Sequence, residues 1–286
     1  MEKYILASRP WSLSASLIPA LLGNILAYKE VSKDFHIWVA ILTTLCIICV
    51  HIAGNFINTY YDFINGVDGP KSADLTLVTN ILLPSVVWNL SISCYLLSLL
   101  FFFVLLCICN VTFDIVLLFT FGVGLSFLYT GGLQLKYAAM GDLVIILTFG
   151  PIAVLFAFVS QTYIFSLQPL VLSLPIICLT EAILHANNYR DYDEDQQKQI
   201  KTLAMILGKP FSTIFYLALT TMPFVWTFRM GCFVNKAFFL PLVLIPNMLS
   251  LQRKCMNGDL EMLDQLTAQM HLLYGALYLY AVIYSF

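Results

Sequence analysis

The chain has 286 residues, of which 60% are hydrophobic and only 10% are charged. Charged residues make up about a quarter of an ordinary soluble domain, so this composition excludes a soluble globular protein and indicates an integral membrane protein in a lipid bilayer. The 14 Lys and Arg nearly balance the 16 Asp and Glu. Because the chain has no strong basic field, nucleic acid is excluded as a partner, and any charge chemistry must be local.

A membrane-spanning helix needs about 20 largely apolar residues. By that rule the sequence predicts an all-α bundle of about nine transmembrane helices, forming a single domain over residues 1–286. The predicted spans are 11–28, 37–58, 89–109, 112–130, 142–160, 169–187, 211–228, 232–250 and 267–285. The two longest polar stretches, 59–88 and 188–210, are predicted to cap the bundle on one side.

The distribution of Lys and Arg predicts the orientation. If the N-terminus and the loops after the even-numbered spans share one side, that side carries ten of the 14 basic residues. Loops rich in Lys and Arg face the cytoplasm. The N-terminus and both polar caps are therefore predicted to be cytoplasmic, and the C-terminus is predicted to lie on the opposite side.

The second predicted span ends in an acidic stretch. Residues three and four apart share one face of a helix, so a polar stripe is predicted that consists of His51, Asn55, Asn58 and Asp62. Glycine favours turns and helix ends, so the helix is predicted to end near Gly66. Asp68 is then expected to fold back towards Asp62.

The sixth predicted span ends in the same way, with Asn187, Asp191 and Asp195 at positions i, i+4 and i+8. Asp193 and Glu194 are predicted to point away from this stripe. If both helix ends meet, they bring carboxylates and amides to one site. Oxygen ligands suit Mg²⁺, which binds through a few carboxylates together with substrate phosphates. The sequence has no cluster of His and Cys that would favour zinc.

Basic residues on the predicted cytoplasmic side complete the prediction of a diphosphate site, namely Lys71, Lys136, Arg190, Lys198 and Lys201. Arginine binds phosphate oxygens in a bidentate way, whereas lysine acts as a point charge. A charged site at the end of an apolar bundle is what a lipid diphosphate requires, because its head group is neutralised while its tail lies among apolar side chains.

These residues stand in a series of motifs, in chain order Arg9-Pro-Trp-Ser-Leu-Ser-Ala-Ser16, Gly54-Asn55-x-x-Asn58-Thr-Tyr-Tyr-Asp62-x-x-x-Gly66-x-Asp68, Tyr129-Thr-Gly-Gly132, Lys136-Tyr137, Gly141-Asp142 and Thr180-Glu181-Ala-Ile-Leu-His185-x-Asn187-Asn188-x-Arg190-Asp191-x-x-x-Asp195 followed by Thr202-Leu203-Ala204. The series resembles that of the UbiA superfamily of intramembrane prenyltransferases over most of the chain. The resemblance implies a nine-helix bundle with a lateral opening to lipid and two Asp-rich motifs on one side.

The same resemblance implies a function: Mg²⁺-dependent transfer of an isoprenyl chain, geranylgeranyl, from its diphosphate to an aromatic quinol. A naphthoquinol in menaquinone-4 (vitamin K2) synthesis is the implied acceptor. The endoplasmic reticulum or Golgi is the implied location, with a mitochondrial membrane as the alternative.

The roles implied by the resemblance fall on residues already singled out. Catalysis and Mg²⁺ binding are implied for Asp62, Asp68, Asp191 and Asp195, and Tyr129 is expected to face the allylic carbon. Diphosphate binding is implied for Asn58, Asn187, Lys136 and Arg190, and it is predicted for Lys71 and Lys201 from their charge and their predicted side of the membrane. His51 and Asn55 are candidates for the acceptor side, with a packed structural His51 as the alternative.

One position departs from the pattern of the animal branch of the superfamily. Asp74-Leu75-Thr76-Leu77 has leucine where that branch usually has arginine. If that arginine grips the diphosphate, Leu75 predicts weaker donor binding or compensation by Lys71.

Several residues are interpreted structurally. Glu181 and His185 lie one turn apart and are expected to pair with each other, with acceptor deprotonation as the alternative. Arg9 and Trp11 are expected to anchor the first span at the membrane interface. Asp264 and Glu261 are expected to be solvated.

Three other functions stay open at this point. Buried polar residues also mark the ion paths of transporters and channels. A catalytically weak relative would act as a lipid- or sterol-linked regulatory protein with a membrane-protein partner. Another member of the superfamily would prenylate a different acceptor, such as a precursor of ubiquinone or haem O.

Overall fold

The computed structural model describes residues 2–70, 72 and 74–285. Regular structure in that part of the chain is helical, apart from an isolated bridge between Ala138 and Lys201. The α-helices are α1 (Glu2–Ala7), α2 (Ser14–Glu30), α3 (Ile37–Ile64), α4 (Pro84–Ile108), α5 (Phe113–Leu128), α6 (Gly141–Leu147), α7 (Ala153–Thr162), α8 (Gln168–Arg190), α9 (Tyr192–Gln197), α10 (Leu203–Phe233), α11 (Ile245–Met256) and α12 (Leu263–Ile283).

Seven helical segments of the described chain are long and apolar enough to cross a membrane. The two other predicted spans are shorter or broken: α5 has 16 residues, and Lys236–Leu244 forms a 3₁₀ helix that continues into α11. The predicted all-α bundle of about nine membrane segments is therefore confirmed, and the protein is a multi-pass integral membrane protein.

The helices divide into inner and outer members. Most residues of α2, α8 and α12 are buried, whereas α4 and α10 expose much of their surface. The exposed side chains of α4 are apolar, including Leu100 and Phe103. An outer surface of this kind suits lipid, since the hydrocarbon tails are as apolar as the side chains that face them.

Two inner segments approach each other closely at Gly23, where α2 packs against α7. A Cβ atom at this position would clash with the carbonyl oxygen of Val154 and lie 2.8 Å from the Ala157 Cβ. Glycine is therefore required here by the close contact between the backbones and not by backbone conformation.

Some predicted boundaries differ from the helix ends in the structure, and one predicted span ended too early because polar residues continue its helix. The second predicted span ended at residue 58, but α3 runs to Ile64. The seventh was predicted to start at 211. Although α10 begins at Leu203, Gly208 breaks it with a φ of 72° and a ψ of 162°, so the long helical part after the break starts close to the predicted position. Gly150 and Pro151 lie in a π-helical turn, Thr148–Ile152, between α6 and α7. Gly150 is buried against the Ile177 side chain of α8. A neighbouring helix therefore covers this turn, and the membrane segment Gly141–Thr162 continues through it.

Candidate active site

A cavity of about 530 Å³ has a charged mouth and an apolar interior. The mouth lies where α3 and α8 end, and the interior runs back along α3. Its apolar wall includes Cys46, Leu118, Phe119, Phe149 and Phe156. Since Cys46 precedes Asp62 by four to five helical turns, this wall extends roughly 24 Å from the mouth.

The predicted polar stripe of α3 lies on the cavity wall, with His51, Asn55, Asn58 and Asp62 all facing the cavity. The helix ends at Ile64, and Gly66 turns the chain with a φ of 69°. The backbone N–H groups of Val67 and Asp68 then donate to the Asp62 carbonyl oxygen at 2.7 and 3.0 Å. As expected, Asp68 folds back and reaches the same cavity.

Asp62 is 4% exposed and is neutralised by a cation. The Lys136 ammonium lies 2.7 Å from one of its carboxylate oxygens, and the Tyr137 hydroxyl donates to the other at 2.5 Å. Lys136 also donates to the Asn58 amide oxygen at 3.1 Å. The Lys136 amide donates to the Tyr129 carbonyl oxygen at 2.7 Å, which fixes this loop after α5.

The Tyr129 side chain lines the cavity. Gly141 packs directly against it, because a Cβ at this position would lie 3.2 Å from the Tyr129 ring.

The second wall is built around Arg190, the last residue of α8. Its Nε and Nη2 atoms bind the two Asp191 carboxylate oxygens at 2.8 and 3.0 Å. Nη2 also donates to the Asn187 amide oxygen at 2.8 Å, and Nη1 lies 2.9 Å from Asp264. The guanidinium thus holds Asp191 and Asn187 in place on the cavity wall, and its predicted contact with diphosphate stays a prediction.

The interpretation of Asp264 as a solvated residue was wrong. Its side chain is buried, with 7% of the residue exposed, and it pairs with Arg190. Glu261 is exposed, as expected.

The prediction that Glu194 points away from the site was also wrong. Because α8 ends at Arg190 and α9 starts at Tyr192, the helical phase is reset between them, and Glu194 faces the cavity. It accepts a hydrogen bond from Ser72 at 3.1 Å. Asp193 does point away and pairs with Lys209 at 2.8 Å.

Contacts between the two cap segments close part of the mouth. Lys198 lies 3.6 Å from Glu194 and donates to the Val67 carbonyl oxygen. The segment after α3 and the segment after α8 are therefore joined directly over the cavity.

Arg9 lies in the cavity wall, and its predicted role as an anchor at the membrane interface stays a prediction. Its guanidinium binds Asp74 at 2.8 Å and contacts the Thr59 hydroxyl at 3.4 Å. Trp11 also lines the cavity, and Leu75 is exposed at its mouth. The sequence motif that begins at Arg9 marked this residue as a candidate. Its partner could not be predicted, because Asp74 is 65 residues away along the chain.

Glu181 and His185 do not pair with each other, so that expectation was wrong. The His185 Nε2 atom binds the Ser212 carbonyl oxygen at 3.0 Å. Neither carboxylate oxygen of Glu181 has a hydrogen-bond partner among the described residues. Its neighbour is Asp142 on α6.

One predicted diphosphate ligand, Lys201, does not lie on the cavity wall. The Lys201 side chain is exposed and lies outside the residues that line the cavity. The backbone of Lys201 holds the loop that contains Ala139, because the Lys201 carbonyl oxygen accepts a hydrogen bond from the Ala139 N–H at 2.7 Å. Lys71 lies outside the described residues.

The carboxylates of Asp68 and Asp195 differ from those of Asp62 and Asp191. Neither has a side-chain hydrogen bond or ion pair among the described residues, and both line the cavity. Burial, together with nearby carboxylates, raises the pKa of each to about 7 despite the opposing charge of Lys136.

This donor set fits a divalent cation. Half-buried carboxylates that lack a partner, such as those of Asp68 and Asp195, favour a divalent cation, and all of the candidate ligands are hard oxygens. Among the described residues, no three Asp, Glu, His or Cys side chains lie together in a position to hold a metal ion by themselves. The arrangement therefore fits Mg²⁺, which takes part of its ligands from water and substrate phosphates.

Comparison with known proteins identifies the family. Residues 16–285 match the model of the UbiA prenyltransferase family. The chain belongs to this family. The sequence resemblance is thereby confirmed, and the protein is a membrane member of the UbiA prenyltransferases.

Its UbiA relatives include the UbiA prenyltransferase domain-containing protein 1 of Homo sapiens, which is 40% identical over 98% of this chain and 83% of the human protein. The human protein belongs to the animal branch whose motif pattern this sequence resembles.

Solved UbiA structures have the same fold. A homolog from Aeropyrum pernix K1 has a TM-score of 0.71 at 16% identity, covering 93% of this chain and 96% of that one. A homolog from Archaeoglobus fulgidus bound to DMAPP and Mg²⁺ has a TM-score of 0.63 at 16% identity, covering 98% of this chain and 99% of that one.

Proposed function

We propose that this UbiA-family chain transfers a geranylgeranyl group from its diphosphate to the ring of a naphthoquinol, in menaquinone-4 (vitamin K2) synthesis, with Mg²⁺ as the cofactor. The observation that carries the proposal is one cavity that joins a charged mouth to a long apolar interior. The mouth offers carboxylates for a cation and basic groups for phosphate. The interior, roughly 24 Å long, suits an isoprenoid tail.

Each wall of the mouth has a defined role in this proposal. Asp68 and Asp195 would hold Mg²⁺ first, because their carboxylates are not engaged by other described residues. Asp62 and Asp191 would join them after their present partners, Lys136 and Arg190, turn towards the diphosphate. Asn58 and Asn187 would contact the diphosphate oxygens beside these carboxylates.

Charge separation is the costly part of the reaction. When bound, Mg²⁺ would supply charge stabilisation for the departing pyrophosphate. Lys136 and Arg190 would add fixed positive charge at the same place, the kind of electrostatic stabilisation that dominates many enzymes. The Tyr129 ring would face the allylic cation, and the apolar interior would exclude water from it.

The comparisons support this proposal through what related proteins bind. The Archaeoglobus fulgidus homolog is bound to DMAPP and Mg²⁺. Another structure of that homolog is bound to GPP and Mg²⁺. Both ligand sets combine a prenyl diphosphate with the cation that the sequence predicts here.

The orientation and location are part of the same proposal. We place the N-terminus and both cap segments on the cytoplasmic side, where ten of the 14 Lys and Arg lie. The cavity mouth then faces the cytoplasm, and the membrane is that of the endoplasmic reticulum or Golgi.

The test is a product assay. The purified protein is incubated with Mg²⁺, geranylgeranyl diphosphate and a panel of naphthoquinols and benzoquinols, and products are identified by mass. We expect a prenylated naphthoquinol together with released pyrophosphate. Asp62→Asn and Asp191→Asn should abolish transfer but leave membrane insertion intact. The matched control is Asp193→Asn, because Asp193 points away from the cavity.

The outcomes separate the alternatives. If product forms only with benzoquinols, the acceptor is a benzoquinol and not a naphthoquinol, and the proposed reaction type stands. No product from any acceptor, despite donor binding, would favour a lipid- or sterol-linked regulatory protein with a membrane-protein partner. If the Asp62→Asn variant retains most of the transferase activity, the assignment of Asp62 to the active site is wrong.

A further inference from the structure

Asp264 is a carboxylate of the cavity wall that belongs to none of the sequence motifs and has no role in the proposed reaction. It lies in the first turn of α12 and lines the same cavity as Arg190 and Asp191. Only 7% of the residue is exposed. A carboxylate is costly to bury without a cation beside it, so the reason for its position has to be sought in its partner, Arg190.

The start of α12 holds Asp264 at the cavity. Met262, the residue before the helix, has a left-handed backbone with a φ of 59°. Leu263, which follows it, is fully buried and fixes the first turn. A left-handed backbone is uncommon for a residue with a side chain, and it persists where the surrounding structure imposes it. The packing of the helix start therefore fixes where the Asp264 carboxylate lies.

The Arg190 guanidinium divides its donors between two carboxylates. Its Nε and Nη2 atoms, which form one edge of the group, bind the two Asp191 oxygens at 2.8 and 3.0 Å. Its Nη1 atom, on the other side, lies 2.9 Å from Asp264 Oδ1. One positive charge thus faces two negative charges, and Arg190 is the cation that both carboxylates share.

The two carboxylates differ in how easily they can give up this cation. The Asp191 side chain is 33% exposed, whereas the Asp264 side chain is 10% exposed. Breaking an exposed ion pair costs little, because water replaces the partner. Breaking a buried pair is strongly unfavourable, because it leaves a buried charge without compensation. Arg190 can therefore leave Asp191 much more easily than it can leave Asp264.

This difference limits how Arg190 moves when the donor binds. In the proposed reaction, Asp191 joins Mg²⁺ and Arg190 turns towards the diphosphate. We infer that Asp264 is a positioning residue: it keeps Nη1 in place while Nε and Nη2 exchange the Asp191 carboxylate for diphosphate oxygens. The inference rests on the proposed function and adds a residue of the last helix to it.

The chemistry of the two partners makes this exchange possible. The Nε and Nη2 edge of a guanidinium binds two oxygens of a carboxylate, and it binds two oxygens of a phosphate with the same geometry. The guanidinium then needs only to turn about its contact with Asp264. Without that contact, Arg190 has no reason to leave Asp191, and it competes with Mg²⁺ for this carboxylate.

The experiment measures the binding of inorganic pyrophosphate with Mg²⁺ to the purified protein by calorimetry, together with thermal unfolding of the same samples. Asp264→Asn should fold, because Arg190 keeps its contacts with Asp191 and Asn187. Its affinity for pyrophosphate should fall by roughly 10- to 100-fold, the usual effect of losing a hydrogen bond to a charged group.

The matched control is Glu261→Gln, since Glu261 is an exposed acid three residues earlier. This variant should bind pyrophosphate as the wild type does. In the transfer assay, Asp264→Asn should raise the KM for the prenyl diphosphate by a factor similar to its loss of pyrophosphate affinity, while the KM for the quinol stays the same. A purely structural role for Asp264 would lower the unfolding temperature without this selective change.

A second variant covers the case in which Asp264→Asn does not fold. Asp264→Glu keeps the ion pair but displaces the guanidinium by about 1.5 Å, the length of one carbon–carbon bond. Because binding depends on the position of the group, pyrophosphate affinity should still fall several-fold. Wild-type affinity in this variant, when Asp264→Asn does not fold, would overturn the inference.

The failure of this inference can be distinguished from the failure of the proposed function. If product forms and a folded Asp264→Asn binds pyrophosphate as the wild type does, Asp264 is not a positioning residue and the proposed function stands. If no product forms but pyrophosphate binds and is weakened in Asp264→Asn and not in Glu261→Gln, the role of Asp264 stands and the proposed reaction is wrong.

Discussion

At the scale of single residues, Lys136 is a cation of the candidate site that contacts two of its other predicted members. It contacts both Asp62 and Asn58 from a loop that the Tyr129 backbone fixes. In the absence of a ligand, the Lys136 ammonium neutralises the Asp62 carboxylate. When a prenyl diphosphate is bound, it can neutralise a phosphate oxygen instead.

We expect Lys136→Gln to lower kcat/KM for the prenyl diphosphate by roughly 10²- to 10³-fold, the usual effect of removing one preorganised charge donor. Steady-state kinetics with varied donor would measure it. Lys201→Gln is the matched control, because Lys201 is exposed outside the cavity, and its kinetics should match the wild type. A larger loss in Lys201→Gln than in Lys136→Gln would reverse this assignment.

The Arg9–Asp74 ion pair ties the N-terminal segment to the cap after α3. Burial disfavours the charged form of Asp74, but Arg9 and hydrogen bonds from Thr59 and the Thr76 backbone outweigh it and hold the pKa of Asp74 below its usual range. An Asp with a lowered folded pKa stabilises the protein above its unfolded pKa, about 3.9. That stabilisation is lost as the pH falls towards the folded pKa.

Asp74→Asn should therefore destabilise the protein at pH 7, by roughly 2–3 kcal/mol for a partly exposed pair. The difference between variant and wild type should narrow below about pH 4. Thermal unfolding in detergent at both pH values would measure this. An equal difference at pH 7 and pH 3 would show that the ion pair is not its cause.

At the scale of helices, the site depends on where each helix ends. The α3 helix continues past the apolar residues to Ile64 and so keeps Asp62 in phase with Asn58. The α8 helix ends at Arg190, and α9 begins with a new phase. That break, which periodicity alone does not reveal, brings Glu194 to the cavity.

The contact of α2 with α7 gives a direct test of helix packing. Gly23→Ala should lower stability by roughly 1–3 kcal/mol, because the added methyl group would meet the Val154 backbone and Ala157. Gly124→Ala in α5 is the control, since nothing lies within 4 Å of a Cβ there. Thermal unfolding of both variants would decide, and equal stability would argue against the close approach.

At the scale of the whole molecule, the candidate metal site is shared by two distant parts of the chain. Asp68 follows α3 and Asp195 lies in α9, and the two cap segments meet through Ser72, Glu194 and Lys198. Among the described residues, no group of three or more Asp, Glu, His or Cys from either part or from both is placed to hold a metal ion by itself. The proposed site therefore depends on substrate phosphates and water as further ligands.

Groups that act as one unit have non-additive effects. We expect Asp68→Asn and Asp195→Asn each to remove most prenyl transfer, and the double variant to be little worse than either. Treatment with EDTA should have the same effect on the wild type, with recovery on adding Mg²⁺. Product formation at fixed donor concentration would measure all four. Additive losses would indicate two independent sites.

The amino-acid sequence by itself determined the class of the molecule. Apolar runs of about 20 residues can only be membrane helices, and an i, i+4 pattern places Asn58 and Asp62 on one face whatever the tertiary structure. The ordered series of motifs from Arg9 to Ala204 predicted the family, which the family match confirms.

Only the tertiary structure decided which charges meet. Arg9 with Asp74, Arg190 with Asp264 and Lys136 with Asp62 are pairs separated by more than 60 residues, and no local pattern specifies such contacts. Asp264 resembles a solvated acid when only its own helix is considered. It is buried because α12 packs against α8, and a buried carboxylate is stable only beside a partner such as Arg190.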